Sequence, residues 1–196
     1  MLYQGGIACF DKDLGKFLPV HIDGALKLKD ILDFYWKDGN LYLATSQGLF
    51  ESRAVRKTER KNDYVLCILN PAPLVKGRVE NLCVGGENKL YFSVDREKVM
   101  SYDFETRKAF LIKECNMVNR LFFQYGYLWI CRLWNDIICY DLKTAKERAI
   151  SIDGKGQSGV SNFYITDLVS KDNKTFYLAT CNGLYSLRFD NEALCE

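Results

Sequence analysis

Short apolar segments separated by polar turns follow one another along the whole chain. An apolar segment ending in Ala-Thr, a two-residue turn and a Gly-Leu-aromatic step occupy residues 38–50 and recur at residues 172–185. Two less similar copies lie between them. The apolar segments begin at Leu41, Leu90, Leu128 and Phe176, at intervals of 49, 38 and 48 residues. This spacing indicates a structural repeat.

A second feature marks the later part of each unit. An aromatic-Asp pair is followed by a polar turn and another strand-like segment, with the pairs at Phe10-Asp11, Tyr102-Asp103 and Tyr140-Asp141. An Asp side chain in this place accepts hydrogen bonds from backbone amides two residues further on, so it predicts a tight turn. Each unit therefore reads as four short antiparallel strands.

The strands are too apolar for a sheet with one face in water. Residues 127–131 are apolar on both faces of the predicted strand, whereas a sandwich strand alternates apolar and polar positions. A propeller blade is covered on both faces by its neighbours, and a blade takes about 40 to 50 residues. Trp129 is expected in the core. The sequence thus predicts an all-β protein made of β-propeller blades of four antiparallel strands.

We expect about four to five blades in one domain or fragment covering residues 1–196, with little helix. The predicted boundaries are a remnant blade at 1–24 and blades at about 25–77, 78–116, 117–160 and 161–190. The N-terminal unit lacks a strand before it, and the C-terminal unit lacks an evident fourth strand. Either an N-terminal strand completes the last blade, or the chain is part of a larger propeller.

Composition narrows the class of protein. The chain is 48% hydrophobic and 27% charged, which is typical of a globular fold. Its net charge of +2 comes from 27 basic and 25 acidic residues that are interspersed, so a nucleic-acid partner is not predicted. The sequence shows neither an apolar stretch long enough to span a bilayer nor a signal peptide.

Cysteine and histidine usage argues against a metal site. The chain has eight cysteines, a single histidine at His21 and no C-x-x-C pair, so neither a metal nor another cofactor is predicted. Most of the cysteines lie in apolar runs, where buried cysteine acts as a small hydrophobic residue. Disulfides remain an alternative.

The units resemble the two-component regulator propeller repeat. That family's blade reads as an aliphatic strand, Asp-x-x-Gly, Leu-Trp-Ile-Gly-Thr, Gly-Gly-Leu and an aromatic-Asp pair. Residues 165–185 and 38–50 match best, and residues 3–11 are similar to the second half of a blade. The two central units lack the Gly-Leu step, with other residues at 97–99 and 135–137.

The resemblance implies a segment of a periplasmic sensor region, as in membrane-spanning hybrid histidine kinases that detect glycan fragments in two-component signal transduction. The parent protein is then a sensor histidine kinase. Its kinase chemistry and its membrane attachment lie in parts of the parent outside this chain. A small carbohydrate is the ligand that the resemblance implies.

The candidate ligand-binding residues lie in the turns between the second and third strands of the blades, on the face where propellers commonly bind ligands. A sugar ring can stack on an indole while guanidinium and amide groups bond its hydroxyls. Packing of the Trp against the next blade is the alternative. The candidates are Arg132, Trp134, Asn135, Arg96, Gln47 and Asn182.

No residue pattern supports catalysis by this chain, because His21 is the sole histidine and no nucleophile motif is present. One alternative function is a protein-interaction or dimerisation module, including a homodimer formed through open blade edges. A second alternative is a carbohydrate-active hydrolase, which requires two carboxylates flanking a cleft.

Overall fold

The computed structural model describes residues 2–3, 6–23, 31–55, 64–86, 88–133, 136–151, 164–172 and 174–188. Within these ranges the chain consists of β-strands and turns, without a helix. The strands are β1 Leu2–Tyr3, β2 Gly6–Asp11, β3 Lys16–Asp23, β4 Ile31–Lys37, β5 Asn40–Thr45, β6 Gly48–Val55, β7 Tyr64–Ile68, β8 Val75–Lys76, β9 Val79–Gly85, β10 Lys89–Val94, β11 Lys98–Asp103, β12 Lys108–Glu114, β13 Val118–Gln124, β14 Tyr127–Arg132, β15 Asp136–Asp141, β16 Glu147–Ser151, β17 Ile165–Ser170, β18 Thr175–Thr180 and β19 Gly183–Arg188.

The chain divides into two compact units, Met1–Leu82 and Cys83–Glu196. The first contains one blade, β4 to β7, whose neighbouring strands are antiparallel. Strand β3 pairs in parallel with β7, and β2 and β1 extend the sheet beyond it. The N-terminal strands therefore extend this blade beyond β7.

The second unit holds the remaining sheets. Strands β9 to β12 and β13 to β16 form four-stranded sheets in which sequence neighbours pair, and β17 to β19 form a three-stranded sheet. Strand β9 begins in the first unit and runs into the second. The prediction of an all-β fold built from four-stranded antiparallel blades is confirmed.

Burial on both faces is clearest in β14. Its four residues from Leu128 to Cys131 are all fully buried. Trp129 and Cys131 belong to a core shared with β17 and β18, while Leu128 and Ile130 belong to a second core shared with β10 and β11. Because neighbouring side chains in a strand point to opposite faces, one strand supplies two separate cores.

Aromatic packing fills both of these cores. The rings of Trp129 and Phe176 lie with their centroids 4.4 Å apart, and Tyr91 stacks on Phe123 at 5.9 Å. Removal of a fully buried aromatic side chain from such a site costs about 3–5 kcal/mol. The expected core position of Trp129 is confirmed.

Three cysteines take part in the cores. Cys115, Cys131 and Cys139 are buried, and no disulfide joins the seven cysteines in the described ranges. Removal from water raises the pKa of the Cys131 and Cys115 thiols above their usual value, because burial disfavours the thiolate. These three behave as the small hydrophobic residues that the sequence predicted, whereas Cys181 is exposed.

The turns after the aromatic-Asp pairs have the predicted chemistry. Asp103 Oδ1 accepts the N–H groups of Glu105 and Thr106 at 2.9 and 2.8 Å. The equivalent carboxylates of Asp11 and Asp141 each accept two backbone N–H groups in the same way. Asp172, in the β17–β18 turn, accepts those of Lys174 and Thr175 at 2.9 and 2.6 Å.

These turns make stability depend on pH. Backbone hydrogen bonds, led by those from Thr106, Lys143 and Lys174, hold the pKa of Asp103, Asp141 and Asp172 below the ordinary 3.8. Because the pKa of each carboxyl is lower in the folded than in the unfolded state, the ionised carboxylates stabilise the fold. This stabilisation is fully present above about pH 4 and is lost as the pH falls through the lowered pKa. Between pH 7 and pH 3, we expect the melting temperature of the triple variant D103N/D141N/D172N to fall by less than that of the wild type.

Asparagine keeps the amide-accepting oxygen of the turn but has no proton to gain, so it separates the charge from the turn geometry. The control is D13N, at an exposed acid outside these three turns. Thermal unfolding followed by circular dichroism at several pH values gives the comparison. Identical acid sensitivity of the triple variant and the wild type would contradict the assignment.

A close backbone contact explains the glycine at the start of β6. Strand β8 pairs with β6 at Gly48 and Leu49, and the Leu74 N–H donates to the Leu49 carbonyl at 2.7 Å. A Cβ on Gly48 would lie 2.3 Å from the Val75 carbonyl oxygen and 2.6 Å from Pro73 Cβ. The equivalent Gly183 at the start of β19 has nothing within 4 Å of such a Cβ.

The two glycines form a matched pair for mutagenesis. Both have a positive φ, +152° at Gly48 and +130° at Gly183, so alanine strains the backbone at either position. We expect G48A to lower the free energy of unfolding by about 2–4 kcal/mol, since a clash adds to the strain, and G183A by about 1–2 kcal/mol. Urea denaturation measures both. Equal losses would show that the contact with residues 73–75 is not formed.

Candidate ligand-binding face

The turns between the second and third strands of the blades lie beside the segments that enter each blade. In the second unit, the Leu133 N–H donates to the Met117 carbonyl at 3.0 Å, and the Cys181 N–H donates to the Tyr164 carbonyl at 3.2 Å. Met117 and Tyr164 immediately precede the first strands of their blades, β13 and β17. These hydrogen bonds fix the turns against the linkers, so residues on them are held on a rigid frame.

Two of the predicted residues lie on either side of the same linker. Arg96 is exposed in the β10–β11 turn, and its carbonyl oxygen accepts the Val118 N–H at 3.0 Å. Val118 in turn pairs with Arg132 at the end of β14. The structure thus brings the backbones of Arg96 and Arg132 to opposite sides of residues 117–118, where the linker enters β13, and we call these two residues the residues 117–118 linker.

Arg132 has a protein partner. Its Nε donates to Asp136 Oδ1 at 2.9 Å, and its Nη2 forms a second, shorter hydrogen bond with Asp136 Oδ2. This pairing raises the pKa of Arg132 and fixes the plane of its guanidinium group. Guanidinium carries five N–H donors, so three remain after this pair forms. The role of Arg132 toward a ligand stays a prediction.

Asp136 was missed in the sequence analysis. It stands opposite Arg132 across the turn that joins β14 to β15, so the two charges face each other as a cross-strand pair. Opposite charges on the two sides of a predicted turn are the signal that could have identified it. Asp136 orients Arg132 and is itself mostly buried, with 19% of its side chain exposed.

Gln47 and Asn182 occupy equivalent turns and are both exposed. The Gln47 N–H donates to Thr45 Oγ1 and the Asn182 N–H to Thr180 Oγ1, each at 3.1 Å. Each threonine hydroxyl also donates to the carbonyl of the following glycine at 2.9 Å. Gln47 belongs to the first unit and Asn182 to the second. Trp134 and Asn135 lie outside the described residues.

The carboxylates that are buried in the described ranges serve the fold. Glu51 accepts hydrogen bonds from Asn40 Nδ2 at 3.0 Å and the Tyr42 hydroxyl at 3.1 Å. Glu80 is paired with Arg78, and Asp11 holds its own turn. No cluster of three or more His, Cys, Asp or Glu suited to a metal ion occurs among the residues with described positions.

The Arg132–Asp136 pair can be measured by a double-mutant cycle. We expect a coupling of about 0.5–1 kcal/mol between R132A and D136A, limited by solvent because 35% of the Arg132 side chain is exposed. The control cycle uses Lys37 and Asp38, a pair at 3.3 Å in which Asp38 is 82% exposed, and we expect about zero there. Equal coupling in both cycles would mean that Arg132 is not held by Asp136.

No protein-family model matches the chain, and no curated protein matches its sequence. Solved structures do match its fold. The extracellular domain of BT4673 from B. thetaiotaomicron, described with one structure as a one component system and with another as a hybrid two component system, superimposes with a TM-score of 0.68 at 16% and 15% identity over 96% of this chain. PorZ, a surface component of the type-IX secretion system of Porphyromonas gingivalis, gives 0.58 at 21% identity over 98% of this chain.

A third match is YCF48 bound to D1 peptide, with a TM-score of 0.57 at 10% identity over 87% of this chain and 54% of that one. The chain spans 26% of the BT4673 structure and 23% of PorZ. At these identities the likeness concerns the propeller-type fold. The described part of the chain contains no helix that is long and apolar enough to cross a membrane.

Proposed function

We propose that this chain is a non-catalytic, ligand-sensing segment of the periplasmic sensor region of a two-component receptor, and that it binds a carbohydrate fragment. The fold shared with the extracellular domain of BT4673 supports the sensing role. The observation that carries the binding role is the set of polar residues on anchored turns, with Arg96 exposed beside the residues 117–118 linker.

The chemistry of these turns suits a sugar. Guanidinium and amide groups donate hydrogen bonds to hydroxyl oxygens, and amides accept them as well. The turn backbones are held by threonine hydroxyls and by linker carbonyls, so little conformational entropy is lost when a ligand binds. Trp134, next in sequence to the half-buried Leu133, supplies the apolar face on which a sugar ring stacks in this proposal.

Calorimetric titration with a panel of oligosaccharides tests the proposal. We expect saturable binding of at least one oligosaccharide, weakened at least tenfold by R96A and by W134A. Loss of one hydrogen bond from a charged donor, at about 1.5–3 kcal/mol, corresponds to a change of this size.

R107A is the matched control. Arg107 is also exposed and also has a positive φ, 56° against 59° at Arg96, but it lies in the β11–β12 turn at the other end of the same sheet. Alanine therefore perturbs the two backbones alike. Absence of saturable binding, or equal weakening by R107A, would refute carbohydrate binding at this face.

A further inference from the structure

The first blade and the last sheet carry the same residue types at four positions of one face. In β4 to β6, Asp33 pairs with Ala44, which pairs with Leu49. In β17 to β19 the same row is formed by Asp167, Ala179 and Leu184. A tyrosine follows in the next row of each sheet, Tyr42 and Tyr177.

We call the set Asp167, Val169, Tyr177, Ala179 and Leu184 the far face of the last sheet. The opposite face of this sheet carries Phe176 and Leu178, which are buried against residues of β14 and β15. Side chains alternate between the two faces of a strand, so Tyr177 and Ala179 lie on the other side.

Burial of the two equivalent faces differs sharply. Tyr42, Ala44 and Leu49 are 5%, 0% and 0% exposed in the first blade. On the far face of the last sheet, their counterparts Tyr177 and Ala179 are only half-buried and Leu184 is 73% exposed. Since these tyrosine, alanine and leucine residues are of the same type in both sheets, the difference arises from what packs against each sheet.

Residues 73–82 cover the face of the first blade. The Leu74 N–H donates to the Leu49 carbonyl at 2.7 Å, and β8 pairs with the start of β6. Further along, the Leu82 N–H donates to Asp33 Oδ2 at 2.8 Å. Within the first unit, the cover is thus an extended linker followed directly by the start of β9.

The last sheet has a carboxylate and an open space at the positions that contact residues 73–82 in the first blade. Asp167 Oδ1 accepts the Leu168 N–H at 2.8 Å, as Asp33 Oδ1 accepts the Phe34 N–H at 2.8 Å, so the two carboxylates are held alike. The space that Pro73 and Val75 occupy beside Gly48 is open beside Gly183. An exposed apolar surface of this kind marks an interaction site.

We propose that the far face of the last sheet is a docking surface for a further blade of this same repeat, which enters through an extended linker like residues 73–76. The linker donates a backbone N–H to the Leu184 carbonyl, and the incoming first strand donates one to Asp167 Oδ2. The blade buries Leu184 and Val169. The occupant is a blade and not a second whole copy, because in the first unit the linker and the strand that follows it form one continuous cover.

The test uses a chemical label at the exposed position. L184C is reacted with iodoacetamide, and labelling is followed at the level of the peptide, with and without a synthetic peptide of residues 70–85. We expect saturating peptide to slow labelling at position 184 at least tenfold. L111C is the control, since Leu111 is 52% exposed on β12, and its labelling should not change. G183A should abolish the protection, because its Cβ fills the space that the linker takes.

In a second format, the docking segment is fused to the same chain, so that the test does not depend on weak binding of a separate peptide. A copy of residues 54–116 is fused directly after Arg188. Arg188 is the residue of β19 that is equivalent to Arg53 of β6, so the fused segment continues from the last sheet as it does from the first blade. Slower labelling of L184C in either format supports the proposal. Unchanged labelling in both formats overturns it. Labelling of the unextended L184C protein that slows with rising protein concentration also overturns it, since the occupant is then a second copy.

Discussion

Burial of apolar side chains on both faces of a central sheet is the interaction that organises the second unit. Strand β14 shows it most directly, because its alternate residues enter two different hydrophobic cores. Apolar side chains on both faces of such a sheet are stabilised by removal from water, so a blade gains stability from a neighbour on either side. Any face without a neighbour retains apolar side chains at the surface, as Leu184 and Val169 do.

The two ends of each blade have different local chemistry. At one end, carboxylates such as Asp103 and Asp141 bind the amides of their own turns and keep short connections tight. At the other end, the turns are tied to linkers through backbone hydrogen bonds, with Arg96 and the residues 117–118 linker as an example. The first end is self-contained, while the second brings together residues of neighbouring blades, which is why the proposed ligand site is placed there.

Sensing and docking, as proposed, use different parts of the same blade. Ligand binding occurs at the turns, and blade docking occurs on the broad face of the sheet. Asp33 illustrates the second role, since one of its carboxylate oxygens holds its own strand and the other receives the strand that follows.

Much of the fold was predictable, and the reason is local. The repeat spacing, the aromatic-Asp turns, the Thr-x-x-Gly turns and the apolar run at residues 127–131 all report interactions within one blade, and the structure has each of them. For the candidate site, the sequence predicted which turns carry the polar residues but not the contacts that these residues make. Arg96, Gln47, Arg132 and Asn182 lie on such turns, but the hold of Asp136 on Arg132 emerged only from the structure.

Tertiary structure alone decided which equivalent residues are buried. Gly48-Leu49 and Gly183-Leu184 have the same sequence, yet Leu49 is fully buried and Leu184 is 73% exposed. The parallel pairing of β3 with β7 likewise has no signature in either strand. Strand length, turn chemistry and side-chain alternation follow from the sequence, because these properties depend on residues that are neighbours in the chain. Burial depends on segments distant in the chain, and only the folded arrangement brings those together.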